Sequence, residues 1–361
     1  MLRSVAALLR RVRGDAPLLR DVAVQSELIE QCVSEVMVPP PGLSAPERNP
    51  YIAWRSLPAE LRRWRLRRVV LDRELMVQMH RGRALRETSY LQPEEAVTAL
   101  RPDPSRLRAG PPGLSVLGFD HWDANYYHWL MHGAVPLALN SCRPAGERGR
   151  PVVPRRVPMV EDTLALLGVS PDEAFVAGRE FQYDFPLLDY YDYTRGKANF
   201  AISRTVQGAL ETLAAGVVPG DVRRVYIDRR GGGNRALCNE GDLIARLEGR
   251  GFAAVRTEAL TLPQQIALFR GAEFVVALHG AGLTNIGFCR PGSFVYELLP
   301  SHYTNPCFVR MAMQAGLSYW SDVFDSGQES RTHYAPWVSP VDVEAVIRRV
   351  DEIDRLRAGG G

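Results

Sequence analysis

Hydrophobic and polar positions divide the 361-residue chain into two stretches of unequal regularity. From about residue 222 onward, short apolar runs alternate with amphipathic ones. Val225–Asp228 reads as a strand, Phe252–Arg256 as a second, Phe274–Leu278 as a third and Ser293–Leu298 as a fourth. The third is apolar throughout, as a strand buried on both faces of a parallel sheet should be. Asn239 suits a helix cap, with Asp242 placing negative charge in the first turn. Thr261 and Gln264 form a capping box that opens a helix over Gln264–Arg270. His279-Gly280-Ala281-Gly282 turns into a further helix, and Pro340–Arg357 is a closing amphipathic helix. Strands and helices alternating at this spacing predict a doubly wound α/β sheet. Ligands of such sheets bind beyond the carboxyl ends of the strands.

The preceding residues are less periodic. The first fifty read as a helix followed by the breakers Pro39-Pro40-Pro41-Gly42. Residues 51–110 are rich in arginine, with one short strand candidate at Val69–Leu71. Leu114–Phe119 is a strand, and a helix begins near Asn125. Val157–Val160 reads as a buried strand and Thr163–Leu167 as a helix. Phe175–Val176 and the run to Tyr193 are strands or loops. The pattern divides the chain into 1–215 and 216–361, with the closing helix open to packing back on the first part. The length fits two domains.

Composition narrows the class. Hydrophobic residues are 46% and charged residues 24% of the chain, the balance of a soluble globular protein. A net charge of +3 is too small to point to nucleic acid. Lys197 is the only lysine, a bias toward arginine that carries little functional weight. Cys32, Cys142, Cys238, Cys289 and Cys307 form no C-x-x-C pair, so neither a zinc site nor a redox motif is suggested. Sparse free thiols fit a reducing compartment. The apolar run within Met1–Gly14 is too short for a signal peptide or a membrane span. It is open to peripheral contact with a membrane surface as well as to an ordinary solvated helix. A cytoplasmic location is expected.

Four segments carry candidate chemistry. In FVVALHGAGLTNIGF, residues 274–288, an apolar strand runs into a glycine turn and a helix. Amides of a first helical turn attract anions, and a diphosphate fits. His279, Gly280, Ala281, Gly282, Leu283, Thr284 and Asn285 are the candidate contacts, with a tight structural turn as the alternative. In VYIDRRGGGNRALCNE, residues 225–240, Arg229 and Arg230 leave a strand at the same edge, where guanidinium groups suit a phosphate clamp, with a solvated basic turn as the alternative. Glu297, ending an apolar strand, suits ribose hydroxyls, with a surface glutamate at a strand end as the alternative. In NYYHWLMHGAVP, residues 125–136, His128 and His132 are four apart and share a helical face. Either can take a proton from a hydroxyl, and a pair of structural histidines is the alternative. No third ligand at a recognisable spacing supports zinc. The tract Asp189–Tyr193 lacks Asp-x-Asp spacing and is read as structural or as an acceptor edge.

These segments resemble glycosyltransferase family 61. The resemblance rests on NYYHW, on YIDRR and NRALCNE, and on the ordered block from Thr261 to Pro300, and it covers about residues 115–320. It implies a GT-B architecture, two Rossmann-like domains facing a cleft. The first domain would bind a saccharide or glycoconjugate acceptor and the second a nucleotide-sugar, usually UDP-linked. It also implies inversion without an essential metal, in bacterial polysaccharide or glycoconjugate synthesis. Carried over by position, Arg229 and Arg230 contact phosphates, His279 to Asn285 form the phosphate-binding turn, and Glu297 faces the nucleoside. Asn239 and Glu240 match the family's Asn-Glu with no assigned role. Many relatives carry an acid where this chain has His132. The expectation is therefore a histidine base, His132 first and His128 second. An epimerase or hydrolase of the same architecture, or a catalytically silent nucleotide-binding protein, is the alternative.

Overall fold

A computed structural model describes residues 17–32, 59–89, 92–192, 203–230, 235–326 and 337–359. The expected N-terminal helix lies partly outside these, as do the breakers at 39–42. The chain forms two compact units that meet in sequence at Ala215 and Gly216. No described helix is long and apolar enough to cross a membrane.

Among the described residues, the first unit is built on a nine-stranded mixed sheet. Its strands are β1 (Ala23–Cys32), β2 (Ala59–Asp72), β3 (Val77–His80), β4 (Arg83–Ala84), β5 (Leu107–Ala109), β6 (Leu114–Leu117), β7 (Arg150–Val153), β8 (Phe175–Val176) and β9 (Gln182–Tyr191). The main order is β4-β3-β2-β9-β6-β7-β8, with β1 pairing β2 and β5 pairing β9. The β9-β6-β7-β8 half is parallel, and the β1-β2-β3-β4 part is antiparallel. The sheet is therefore only half Rossmann-like.

Three expectations from the sequence are corrected by the structure. Residues 23–32 form a strand where a helix was expected, and β2 runs for 14 residues where only Val69–Leu71 was seen. The reason is ionic. Arg63 is 1% exposed, and its guanidinium donates to Asp189 Oδ2 at 2.7 Å and to Glu27 Oε2 at 2.7 Å. Arg65 donates to Asp189 Oδ1 at 2.8 Å. Inward-facing arginines hide the alternation that marks a strand, and cross-strand pairing outweighs local propensity. The strand expected at Val157–Val160 is instead the entry of a helix, Pro158–Leu166. Pro158 fits the first helical position because its fixed φ suits the turn and no amide is needed there. The buried strand lies just upstream, as β7.

The second unit carries a five-stranded sheet of β10 (Arg224–Ile227), β12 (Ala253–Val255), β13 (Phe274–Leu278), β14 (Phe294–Pro300) and β15 (Ser318–Phe324). Its order is β12-β10-β13-β14-β15 and every pair is parallel. A short parallel pair, β11 (Arg235–Leu237) with β16 (Trp337–Ser339), stands apart. The helix Leu262–Gly271 opens with the expected capping box. The closing helix, Val343–Gly359, sends Val346, Ile347, Val350 and Ile353 into the core with Tyr226, Val276, Tyr296 and Trp320. It thus packs on the sheet of its own unit. From β10 the chain moves outward to β12, and from β13 it moves the other way to β14. The crossover point of this sheet is therefore the gap between β10 and β13, where such folds bind ligands.

The DYYDY tract is structural in its contacts. Asp189 is spent on Arg63 and Arg65. Asp192 accepts from the Trp64 indole and from the Arg62 amide. Burial pushes the Asp192 carboxyl up to about 6. The native state then keeps a proton that the unfolded chain sheds near the ordinary value of 3.8. The associated stability is full below that value and is lost as pH rises through about 6. Over this window the stability difference between wild type and Asp192→Asn should fall by on the order of 3 kcal/mol. Urea unfolding at pH 3.5 to 7 measures it; a difference that does not change with pH would contradict the reading.

Candidate functional site

In the second unit, the carboxyl ends of β10 and β13 bring Arg229 onto the glycine turn. Arg229 Nη1 donates to the His279 carbonyl at 3.0 Å. A Cβ built on Gly280 would lie 1.6 Å from the same nitrogen. The guanidinium fills the space that a side chain at 280 would take, so a larger residue there would displace Arg229 from the turn. Gly282 packs closely too, with Ile227 Cγ2 and Thr257 Oγ1 at 3.2 and 3.1 Å from where its Cβ would lie. The turn continues as the 3₁₀-helix Ala281–Phe288, and the Leu283 amide bonds back to Gly280 O at 2.9 Å. Ala281 and Gly282 head this turn and are half-buried. First-turn amides have no partner within their own helix.

Other predicted contacts point elsewhere. Thr284 Oγ1 donates to Ala281 O at 2.6 Å, and Asn285 Nδ2 donates to Gln265 Oε1 at 2.8 Å and Gly282 O at 3.0 Å. Both side chains are fully buried and brace the turn instead of offering donors to a ligand. Leu283 is core. Arg230 is held by Asp228, donating Nη2–H to Oδ2 at 2.8 Å. Burial raises the Asp228 carboxyl, but the Arg230 bonds outweigh it and hold it below its ordinary value. Of the two arginines, Arg229 alone is placed on the turn.

Glu297 is corrected most clearly. It lies within β14, not at its end, and is 0% exposed. One carboxylate oxygen accepts from His279 Nδ1 and the other from the Tyr319 hydroxyl. It holds His279, whose ring is also flanked by Tyr303 and Phe308 at 5.1 Å each. Both of its oxygens are thus taken up within the protein. Asn239 precedes the helix Glu240–Glu248 but does not cap it with its side chain. Its amide instead grips both backbone groups of Val341, at 2.8 and 3.0 Å. Glu240 is buried, and its Oε1 accepts from Tyr226 Oη at 2.8 Å and the Arg229 amide at 2.9 Å. Glu240 thus fixes the backbone from which Arg229 reaches out.

The first unit assembles a second cluster at the end of β6. Asn125 caps the helix that starts at Tyr126, accepting from the Tyr127 amide at 3.0 Å. The helix passes through a π-helical turn, Leu130–Ala134, into Val135–Ser141. Single π-turns of this kind concentrate at functional sites. His128 and His132 both turn to Asp120, which the sequence reading overlooked. His128 Nδ1 bonds Asp120 Oδ2 at 2.8 Å, His132 Nδ1 bonds the same oxygen, and the two ring nitrogens are 3.3 Å apart. The Trp122 amide fixes Asp120 Oδ1 at 2.7 Å, and Asp123 anchors the loop on Arg73 and Arg155. Burial pushes the Asp120 carboxyl up, but the charge of His132 and the hydrogen bonds from both rings hold it well below the carboxylate range. An ionised carboxylate only accepts, so each Nδ1 carries hydrogen. In a neutral His128 the lone pair is then on Nε2. The side chain of His128 is 12% exposed, that of His132 only 2%. Exposure thus reverses the expected order of the two. Asp120 joins the two histidines as a third possible ligand atom in one cluster. Its offset of eight residues, across a loop, belongs to no recognised spacing.

A sheet with a guanidinium and a glycine turn at its crossover point defines an α/β protein whose ligand edge suits an anionic group. Comparison with known proteins adds a family likeness: residues 126–296 match the model of the family Glycosyltransferase 61. A similar protein is the EGF domain-specific O-linked N-acetylglucosamine transferase of Drosophila melanogaster, 31% identical over 101 residues. The match spans 27% of this chain and 19% of that relative.

Close packing brings the histidines to Asp120. A Cβ on Gly133 would lie 2.8 Å from the Trp129 ring and 2.9 Å from the Gly118 carbonyl. Gly133→Ala should lower the unfolding free energy by about 1–3 kcal/mol, the usual cost of overpacking. Urea denaturation is the check, and a neutral substitution would show that the helix has room to shift.

Proposed function

We propose that this chain is an inverting glycosyltransferase that moves a sugar from a nucleotide-sugar, UDP-linked, to a hydroxyl of a saccharide or glycoconjugate. The observation that carries this is Arg229 lying on Gly280 at the crossover point of a parallel sheet. The family match supports the reaction class. The reading includes the GT-B plan that the resemblance implies, bacterial glycan synthesis as the setting and a cytoplasmic location.

The step is a direct displacement that needs no metal. The acceptor oxygen forms a bond to the anomeric carbon while the bond to the diphosphate breaks. Its proton passes to His128 Nε2. Asp120 fixes the tautomer and favours the imidazolium that results, as a carboxylate does beside a catalytic histidine. The electron pair departs with the diphosphate. Arg229 and the amides of Ala281 and Gly282 receive that growing negative charge, the kind of term that weighs most in catalysis.

Arg229→Ala should lower turnover about a hundredfold or more, the range for loss of one preorganised donor. His128→Gln should lower turnover about a hundredfold or more while UDP binding persists, because proton transfer alone is affected. Both are read with UDP-sugars and an acceptor panel, after a thermal-shift screen has found the donor. Wild-type rates in either variant would remove that residue from the mechanism. Free sugar released without acceptor would favour a hydrolase, and UDP binding without turnover on any acceptor would favour a silent binding protein.

A further inference from the structure

We propose that Asp120, His128 and His132 form a zinc site, and that zinc bound there switches off proton acceptance by His128. The second half of this proposal rests on the base assigned above; the first half does not. Three ligand atoms of the preferred chemistry, two imidazole nitrogens and one carboxylate oxygen, converge within 4.8 Å. An ion held tetrahedrally at about 2.0–2.1 Å from each nitrogen sets the two nitrogens about 3.3 Å apart. The separation of His128 Nδ1 and His132 Nδ1 is 3.3 Å. The carboxylate is closer than that edge, with Oδ2 at 2.8 Å from His128 Nδ1. Binding would move it back by about half an ångström from His128, and by about twice that from His132, whose contact with the same oxygen is shorter still, to reach the same tetrahedral edge.

The surroundings suit a ligand set. Asp120 is oriented through its other oxygen by the Trp122 amide, the outer bond that metal-binding carboxylates commonly have. His132 is fixed by the π-helical turn and buried, while His128 keeps 12% exposure on the open side. Three protein ligands leave a fourth position for water, the pattern of an open zinc site. This set depends on His132, at the position where the resemblance leads one to expect an acid.

The chemistry of inhibition follows from the tautomer. Zinc takes the lone pair of each Nδ1, so each neutral ring must move its hydrogen to Nε2. No net proton is released and no bond to carbon changes. The His128 nitrogen that would accept the substrate proton then carries one already.

The experiment titrates the whole protein with Zn²⁺ alone by calorimetry, after stripping with chelator. About one equivalent should bind, and Asp120→Asn and His132→Gln should each weaken binding tenfold or more, the range for losing a ligand or its support. His128→Gln, on the exposed side, provides a variant less prone to unfold and should weaken it similarly. Circular dichroism confirms that each variant is folded. No binding up to 100 μM Zn²⁺, a concentration set by the experimenter as roughly a weak-site limit, or equal binding by folded variants overturns the site. Turnover in chelator separates the two ideas. Loss of activity in His128→Gln without zinc affinity in the wild type keeps the base and removes the zinc site. Zinc affinity with full activity in chelated His128→Gln keeps the site and removes the base. Zinc bound at this site without loss of turnover overturns the switch.

Discussion

Arg229 reaches from the end of β10 to the carbonyl that ends β13, through space that any side chain at 280 would fill. Most of what the second unit can do follows from that contact. A guanidinium donates only, and one of its nitrogens is committed to the His279 backbone. Its position is thereby tied to two adjacent strands at the crossover point of the sheet. In the proposed reaction a guanidinium held this way would meet the growing negative charge without reorganising, which is the condition for strong electrostatic stabilisation. Glu240 extends the same logic by holding the Arg229 amide from below with Tyr226.

The legible part of the fold was the part whose core is apolar. Phe274–Leu278 was bounded correctly because all five residues are buried and uncharged. The capping box at Thr261 was equally plain, because both partners lie within one turn. The first unit resisted because its interior is partly ionic. A strand whose inward positions include Arg63 cannot be seen from alternation of apolar residues, and its partner Asp189 is more than a hundred residues away. The edge strand β15 and the helix Cys307–Gln314 also went unread. The site was legible to the same degree. Arg229 and Gly280 came from local motifs, whereas Asp120 and Tyr319 depend on tertiary contact.

Misreading Glu297 and Asn239 has a common cause. A polar residue near a strand end or helix start has a local use, such as binding ribose or capping, and sequence reasoning assigns that use. The structure gives both a longer-range task. Asn239 joins the start of one helix to Val341 just ahead of another, and Glu297 joins β13 to β15 through His279 and Tyr319. Buried side chains with two hydrogen-bonding ends are costly to leave unpaired, so the fold uses them as ties between elements.

Three buried carboxylates then share one role. Asp120 orients two imidazoles, Glu240 fixes the backbone of an arginine, and Glu297 holds the histidine at the tip of β13. None of the three is exposed enough to bind a substrate directly. Each of these buried charges fixes the geometry of its partners. Arg229 and His279 follow the carboxyl ends of β10 and β13, where ligands of such sheets gather, and His128 lies in the first turn of its helix, whereas His132 is held inside it. The groups with freedom to meet a substrate are therefore the neighbours of the buried acids. That ordering is what shifts the weight from His132 to His128 in the first unit, and from Glu297 to the turn at Gly280 in the second.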